Sequence, residues 1–398
     1  MAADRDEKTA EGTVRRIYLD NNATTPVDPR VFKAMRPFLE EDFGNASSLH
    51  VYGQAARKAV EDARERVAAL IGASSEEIYF TSGGTESDNW ALRGVTAASE
   101  KETLHLITST IEHPAVLRTS EQLEREGYRV SFVSVDRDGK VSLDELSTAV
   151  NEQTVLISVM LANHEVGTIQ PLGEIVKIGR EHGIAVHTDA VQAVGKIPVD
   201  VGKLEVDLLS ISSHKIHGPK GVGALYIRKG TEIAPLITGG GQERTMRAGT
   251  ENVPGIVGFG EACRLAREEL GEREGRVALL RDRLPAGSRE RIPHVRFNGH
   301  QTDRLPGTLS VSFEHVEGEA IVLSLDNEGI AVSSGSACAS GSSEPSPVLL
   351  AMGLGSELAQ GSIRFSLGKD NLEEEVDRVL DVLPRIVERL RAMSPRAR

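Results

Sequence analysis

Glu77-Ile78-Tyr79-Phe80-Thr81 runs directly into Ser82-Gly83-Gly84-Thr85-Glu86-Ser87. The first five residues are rich in β-branched and aromatic side chains and read as a strand. The glycines let the backbone turn tightly, and Gly84–Val95 then reads as a helix. Strand, glycine turn and helix in this order are the unit of a parallel sheet. Upstream, Tyr52–Ile71 has apolar residues at Ala56, Val60, Ala63, Val67 and Leu70, which is helical spacing. Downstream, strand-like runs follow at Thr103–Ser109, Arg129–Val135, Thr154–Ala162, Ile184–Asp189, Asp207–Ser212 and Gly223–Ile227. Helical stretches, including Pro114–Glu126 and Gly173–His182, lie between several of them. The alternation predicts an α/β fold with a mainly parallel sheet covered by helices on both faces.

Past a long helical stretch near Pro254–Arg283 the rhythm changes. Pro306–Phe313 and Ser362–Leu367 read as strands, and Gly318–Asn327 and Leu372–Met393 as helices. We expect a large domain over residues 17–271, whose first residues could pack with the smaller part, and a smaller α+β domain over 272–398. Residues 1–16 have no apolar centre and read as a disordered extension, not a signal peptide. One biased segment, Ser333–Ser343, is almost wholly Ser, Gly and Ala around Cys338.

The 398 residues carry a formal charge of −13, which argues against direct nucleic-acid binding and against an anionic membrane surface. Two cysteines, Cys263 and Cys338, allow neither a disulfide framework nor a zinc site, so a reduced, cytoplasmic setting and no metal are expected. No apolar run has the length of a membrane span.

The strand ends carry the candidate chemistry, because ligands of parallel sheets gather there. The Gly83-Gly84-Thr85 turn aims amide N–H groups where an anion could sit, and Thr85 can cap the helix or donate its hydroxyl to a phosphate. A capped helix with a tight turn explains the same residues equally well. No Gly-Lys-Ser/Thr follows, so this is not a Walker loop. Ser212-Ser213-His214-Lys215 follows an apolar strand and puts a lysine at the same rim. Asp189 ends another apolar strand, and a buried carboxylate needs a cationic or hydrogen-bonded partner. A protonated pyridine nitrogen would serve, as in pyridoxal phosphate; capping of a local turn would serve too. His113, just before Pro114, sits on the same rim and could stack on an aromatic cofactor and shuttle protons, or be structural.

Six segments occur in register: Leu19-Asp20-Asn21-Asn22-Ala23-Thr24-Thr25-Pro26, Ser82–Ser87, His187-Thr188-Asp189-Ala190-Val191-Gln192, Ser212-Ser213-His214-Lys215, Gly239–Arg244 and Ser334-Gly335-Ser336-Ala337-Cys338. Together, from about residue 17 to the end, they closely resemble the cysteine desulfurases of the NifS/IscS type. The resemblance implies a fold type I pyridoxal-phosphate enzyme acting as a homodimer on L-cysteine. It implies that Lys215 holds the cofactor aldehyde and later takes a proton from the substrate. It assigns His113 to ring stacking, Asp189 to the pyridine nitrogen and Gln192 to the ring hydroxyl. Gly84, Thr85, Ser212 and His214 fall to the phosphate, with Thr250 reaching it from the other subunit. Asn163 and Arg364 match the holders of the substrate carboxylate, a task that suits the planar fork of arginine. His164 departs from the pattern, since many relatives carry a second Asn there.

Cys263 lies in a helical pattern and reads as a packed residue. Cys338 sits among side chains too small to anchor it, which suits a thiolate that attacks sulfur in a cleft and then carries a persulfide outward. The length of its loop matches the branch of the family that delivers sulfur to scaffold proteins, so an acceptor such as an iron–sulfur scaffold is expected. Selenocysteine lyase shares this fold and cofactor. An aminotransferase on the same scaffold would have no use for Cys338. A non-catalytic assembly partner would have no need of Lys215, His113 and Asp189.

Overall fold

The computed structural model describes residues 16–101, 103–335 and 344–393. Its strands, in chain order, are β1 (Ile17–Tyr18), β2 (Ile78–Thr81), β3 (His105–Ser109), β4 (Arg129–Val133), β5 (Thr154–Ser158), β6 (Ala185–Asp189), β7 (Leu208–Ser212) and β8 (Gly223–Ile227), followed by β9 (Val295–Asn298), β10 (Thr308–Phe313), β11 (Ile330–Ala331), β12 (Ser333–Ser334) and β13 (Ser362–Ser366). Strands β2 to β8 form one sheet in the order β2-β8-β7-β6-β5-β3-β4. Its neighbours from β4 across to β7 pair in parallel. β8 runs antiparallel to both β7 and β2.

Period-two alternation explains how this sheet is covered on both faces. Ile107, Ile157, Val186 and Leu209 pack in one apolar core with the helices Val51–Ile71 and Leu172–Glu181. Their chain neighbours Leu106, Leu156 and Leu208 point the other way, into a core with Trp90 and Leu92 of the helix Gly84–Ala98 and with Val116 and Leu123 of Pro114–Arg125. The strands are therefore apolar on both sides, as parallel sheets require.

A second sheet, in the order β12-β13-β10-β9, is antiparallel throughout. Val311, Phe313, Ile363 and Phe365 pack there with Ile321 and Leu325 of the helix Gly318–Asn327 and with Val376, Val379 and Leu383 of Glu373–Met393. The start of the chain joins this core: β1 pairs in parallel with β11, and Ile17 and Leu19 are buried in it. The two cores share the helix Val253–Arg291. Val253, Ile256, Phe259 and Leu265 serve the large sheet, and Val277, Leu280 and Leu284 serve the small one. The expected boundary between residues 271 and 272 falls inside this helix.

Two local expectations need correction. The strand expected over Thr154–Ala162 ends at Ser158. Beyond it, the N–H groups of Val159 and Leu161 still bond the carbonyls of His187 and Asp189, while that of Met160 turns to the carboxylate of Glu112. Ser333 and Ser334, expected within the side-chain-poor loop, pair with Arg364 and Ile363 instead, because backbone pairing needs no large side chain. The rest of that loop from residue 336 to 343, with Cys338, lies outside the described residues, as does the expected extension up to residue 15. The strand β9 and the helix Leu143–Ala149 had no counterpart among the expected elements. No helix among the described residues is long and apolar enough to cross a membrane.

Candidate active site

Five strands of the large sheet deliver their carboxyl ends to one rim. β2 leads to Gly84 and Thr85, β3 to His113, β5 to Asn163, β6 ends in Asp189, and β7 leads to Lys215. The turn after β2 departs from expectation in one detail. The helix is capped by Gly83, which offers no side-chain bond, and Thr85 is exposed in the first turn, not at the cap. The first intrahelical bond there is from Ser87 N–H to Gly83 O, so the N–H groups of Gly84, Thr85 and Glu86 are left for another acceptor. A side chain at Gly84 would not fit, since its Cβ would lie 2.7 Å from Val191 Cγ2.

Lys215 sits in a short 3₁₀ turn, Ser213–Lys215. Its Nζ donates to the carbonyls of Asn22 at 2.5 Å and Ala23 at 2.8 Å. The segment Leu19–Pro26 thus forms the seat of the lysine, and the turn is held to it through Thr25, whose N–H and hydroxyl both donate to His214 O. His214 Nδ1 meets Thr24 Oγ1 at 3.1 Å. Burial, with Lys215 nearby, pulls the His214 imidazole down to about 4. Ser212 is buried at the end of β7.

Asp189 and His113 face Lys215 across the rim. Burial raises the Asp189 carboxyl, while His113, Val191 N–H and Lys215 pull it back. Burial lowers His113, opposed by Asp189 and assisted by Lys215. His113 caps the helix Pro114–Arg125, its Nδ1 accepting from Ala115 N–H at 3.1 Å. Gln192 Nε2 donates to Asn22 O at 2.9 Å, and its Oε1 accepts from Lys196 at 2.7 Å.

Arg364 comes from the small sheet. It is 3% exposed, donates to His164 O at 3.0 Å and Asp20 Oδ1 at 2.9 Å, and keeps its Nε buried without a partner. Asn163 is also buried, but its amide is occupied. Nδ2 donates to Ile111 O, and Oδ1 accepts from the N–H groups of Glu165 and Val166. Thr250 stands apart, exposed on a surface cavity of about 190 Å³ that Ser82 and Arg247 also line. Cys263 is fully buried among apolar neighbours, and burial pushes its thiol well up.

Two further groups organise the rim. Asn22 accepts at its carbonyl from Lys215 and Gln192, accepts at Oδ1 from Lys196, and donates from Nδ2 to Thr308 of β10. Lys196 is pulled well below the ordinary lysine range by burial, then by Lys215 and Arg364. The signal for Lys196 was present in a lysine four residues after Gln192; that for Asn22 lay inside a quoted motif.

The class-V aminotransferase family model matches residues 17–379. The chain is 53% identical over 379 residues to the cysteine desulfurase IscS of Methanosarcina thermophila, covering 95% of this chain and 94% of the relative. It is 54% identical over 381 residues to that of Dictyoglomus turgidum, covering 96% and 97%. Among solved structures, a NifS-like protein superposes with a TM-score of 0.89 at 47% identity, covering 94% of this chain and all of the other. With its motifs in register from the first strand to the last helix, the chain belongs to the class-V aminotransferase family, among the cysteine desulfurases of the IscS/NifS type, which are pyridoxal-phosphate enzymes.

Proposed function

We propose that this chain takes sulfur from L-cysteine onto Cys338 as a persulfide, releases L-alanine, and passes the sulfur to an acceptor protein such as an iron–sulfur scaffold. The observation that carries this reading is the convergence of Lys215, Asp189, His113 and Arg364 on one rim, with Ser333 paired to Arg364. Cys338 is five residues beyond Ser333, a reach of about 17 Å at most.

The residues present fit the cofactor. The Asp189 carboxyl, raised by burial, gains from a cationic ring nitrogen. Thr188 Oγ1, beside it in β6, is buried without a partner. The open N–H groups after Gly83 suit a phosphate, with Gly84, Thr85, Ser212 and His214 around it and Thr250 offered by a second subunit. Gln192 would meet the ring hydroxyl. When bound, pyridoxal phosphate supplies an aldehyde that condenses with an amine and a ring that accepts electrons from the substrate α-carbon.

The chain's own groups do the rest. Arg364 binds the substrate carboxylate, with Asn163 shaping the wall beside it. Lys215 Nζ removes the α-proton and is held in place by the carbonyls of Asn22 and Ala23. The Cys338 thiolate attacks the substrate sulfur; the new S–S bond forms as the C–S bond breaks, and the bonding electrons stay with the carbon fragment that leaves as alanine. His113 moves protons at Nε2. In the neutral ring Nδ1 accepts from Ala115, so the proton sits on Nε2, and full donation follows protonation of the ring with release of the Ala115 bond.

A homodimer is supported by the exposed apolar side chains Phe43 at 72%, Leu49 at 86%, Val51 at 77% and Tyr52 at 53%, clustered in one segment. A two-domain division near residue 271 is supported by the two cores joined through one helix. A cytoplasmic setting is supported by the free buried thiol of Cys263. The test is to assay alanine and sulfide together from L-cysteine and a reductant, beside Cys338→Ser. Equal yields from the natural protein and none from the variant are expected; products from both would remove Cys338 from the scheme. Turnover on selenocysteine but not on cysteine would reassign the substrate.

A further inference from the structure

The turn after β5 presents a side chain that the proposed chemistry leaves unused. His164 is 5% exposed, and its ring stands edge-on to that of His113, with centroids 5.4 Å apart and planes at 75°. Its Nε2 lies 3.7 Å from Glu165 Oε1, too far for a hydrogen bond, and its Nδ1 is buried without a partner. The backbone on either side is fixed. Asn163 Oδ1 holds the N–H groups of Glu165 and Val166, each at 2.9 Å. Asn163 N–H bonds Thr168 O, and Gly167 N–H bonds Asn163 O. Ser346 Oγ donates to Glu165 Oε2 at 2.5 Å. The His164 carbonyl itself accepts from Arg364 at 3.0 Å and Asn22 at 3.2 Å.

We propose that His164 is a positioning residue for His113: its anchored ring fixes the plane of the His113 imidazole and keeps water from its edge. Edge-to-face contact sets relative ring orientation and buries area. A buried imidazole with an unused nitrogen is costly, and the turn nevertheless holds it against His113 through six backbone hydrogen bonds. Shape explains this where hydrogen bonding does not. The charged and titratable groups facing the pair are Asp189 from β6, Lys215 after β7, Arg364 from β13 and Glu165 in the same turn. The inference rests on His113 as the proton-transfer group, yet it is measurable without turnover.

The experiment uses holoenzyme loaded with pyridoxal phosphate and labelled with ¹³C in histidine. The His113 signal is assigned by its loss in His113→Gln, and its titration is followed in His164→Asn and His164→Phe. Asn opens the pocket to water, so the His113 midpoint should rise by roughly half a unit to one unit, and kcat should fall several-fold with KM for cysteine nearly unchanged. Phe keeps the ring and removes both nitrogens, so titration and kcat should stay near those of the natural protein. An unmoved His113 midpoint in His164→Asn overturns the proposal. So does a raised KM in His164→Phe with His113 unmoved, which would make Nδ1 a substrate contact. Full turnover of His113→Gln would instead remove the proton-transfer reading, while the titration still decides the positioning claim.

Discussion

β10 and β13 of the small sheet are buried along their whole length, as are β3 and β7 of the large one. They differ in what the strands deliver. In β10 and β13 the alternate residues Val311, Phe313, Ile363 and Phe365 fill a core, and the one charged side chain is Arg364. In the large sheet the strands and the turns that follow them carry His187, Asp189, Glu112, His113 and Lys215, with Asp88 packed beside them. Burial pushes the acids and histidines among them toward their neutral forms: Glu112 up to about 8, His187 down to about 3, and Asp88 well above the usual carboxylate range. A sheet that only packs has no need of such groups, and each one costs stability. β10 and β13 therefore fill a core and add one buried cation, whereas the large sheet's rim gathers buried ionisable groups at a cost in stability.

Four substitutions would break or sharpen that contrast. Lys215→Ala should reduce alanine formation by about 10³-fold or more while leaving the thermal midpoint within a few degrees. Appreciable residual turnover would show that the rim is not where the chemistry lies. Phe313→Ala, in the small core, should cost about 3–5 kcal/mol in urea unfolding, with unchanged turnover per folded molecule. A specific loss of turnover there would blur the division of labour. Arg364→Lys keeps the charge and loses the fork, so KM for cysteine should rise by about 10- to 100-fold with a smaller change in kcat. An unchanged KM would return Arg364 to a purely structural role with Asp20.

Glu112→Gln tests the cost of the rim through pH. Glu112 accepts from Ser109 and from Met160 N–H, and its folded value is raised above the ordinary 4.5. A raised carboxyl contributes stability that is complete below the unfolded value and lost as pH rises through about 8. Gln cannot ionise, so the fall in stability between about pH 4.5 and 8 should shrink by on the order of a few kcal/mol. Parallel stability–pH curves for the two proteins would mean that Glu112 is not strained.

Much of this was readable along the chain. The alternation of strands and helices, the glycine turn after β2 and the rim positions of Asp189, His113 and Lys215 all follow from local pattern, because strand ends are marked by where apolar alternation stops. β9 was missed because Val295-Arg296-Phe297-Asn298 is short and earns its pairing from β10, not from its own pattern. Thr85 suits a cap by residue type, but a glycine with no side-chain bond takes that position.

The sequence by itself determined the α/β alternation, the order of the motifs and the family, since each depends on residue types within a few positions of one another. Only the tertiary structure decided that Asn22 would seat Lys215, that Lys196 would hold Gln192 and Asn22, and that His164 would stand edge-on to His113. It also decided that Arg364, from another sheet, would close the same rim against Asp20 and His164. These partners are distant along the chain and meet through strand order and register, which short-range pattern does not encode.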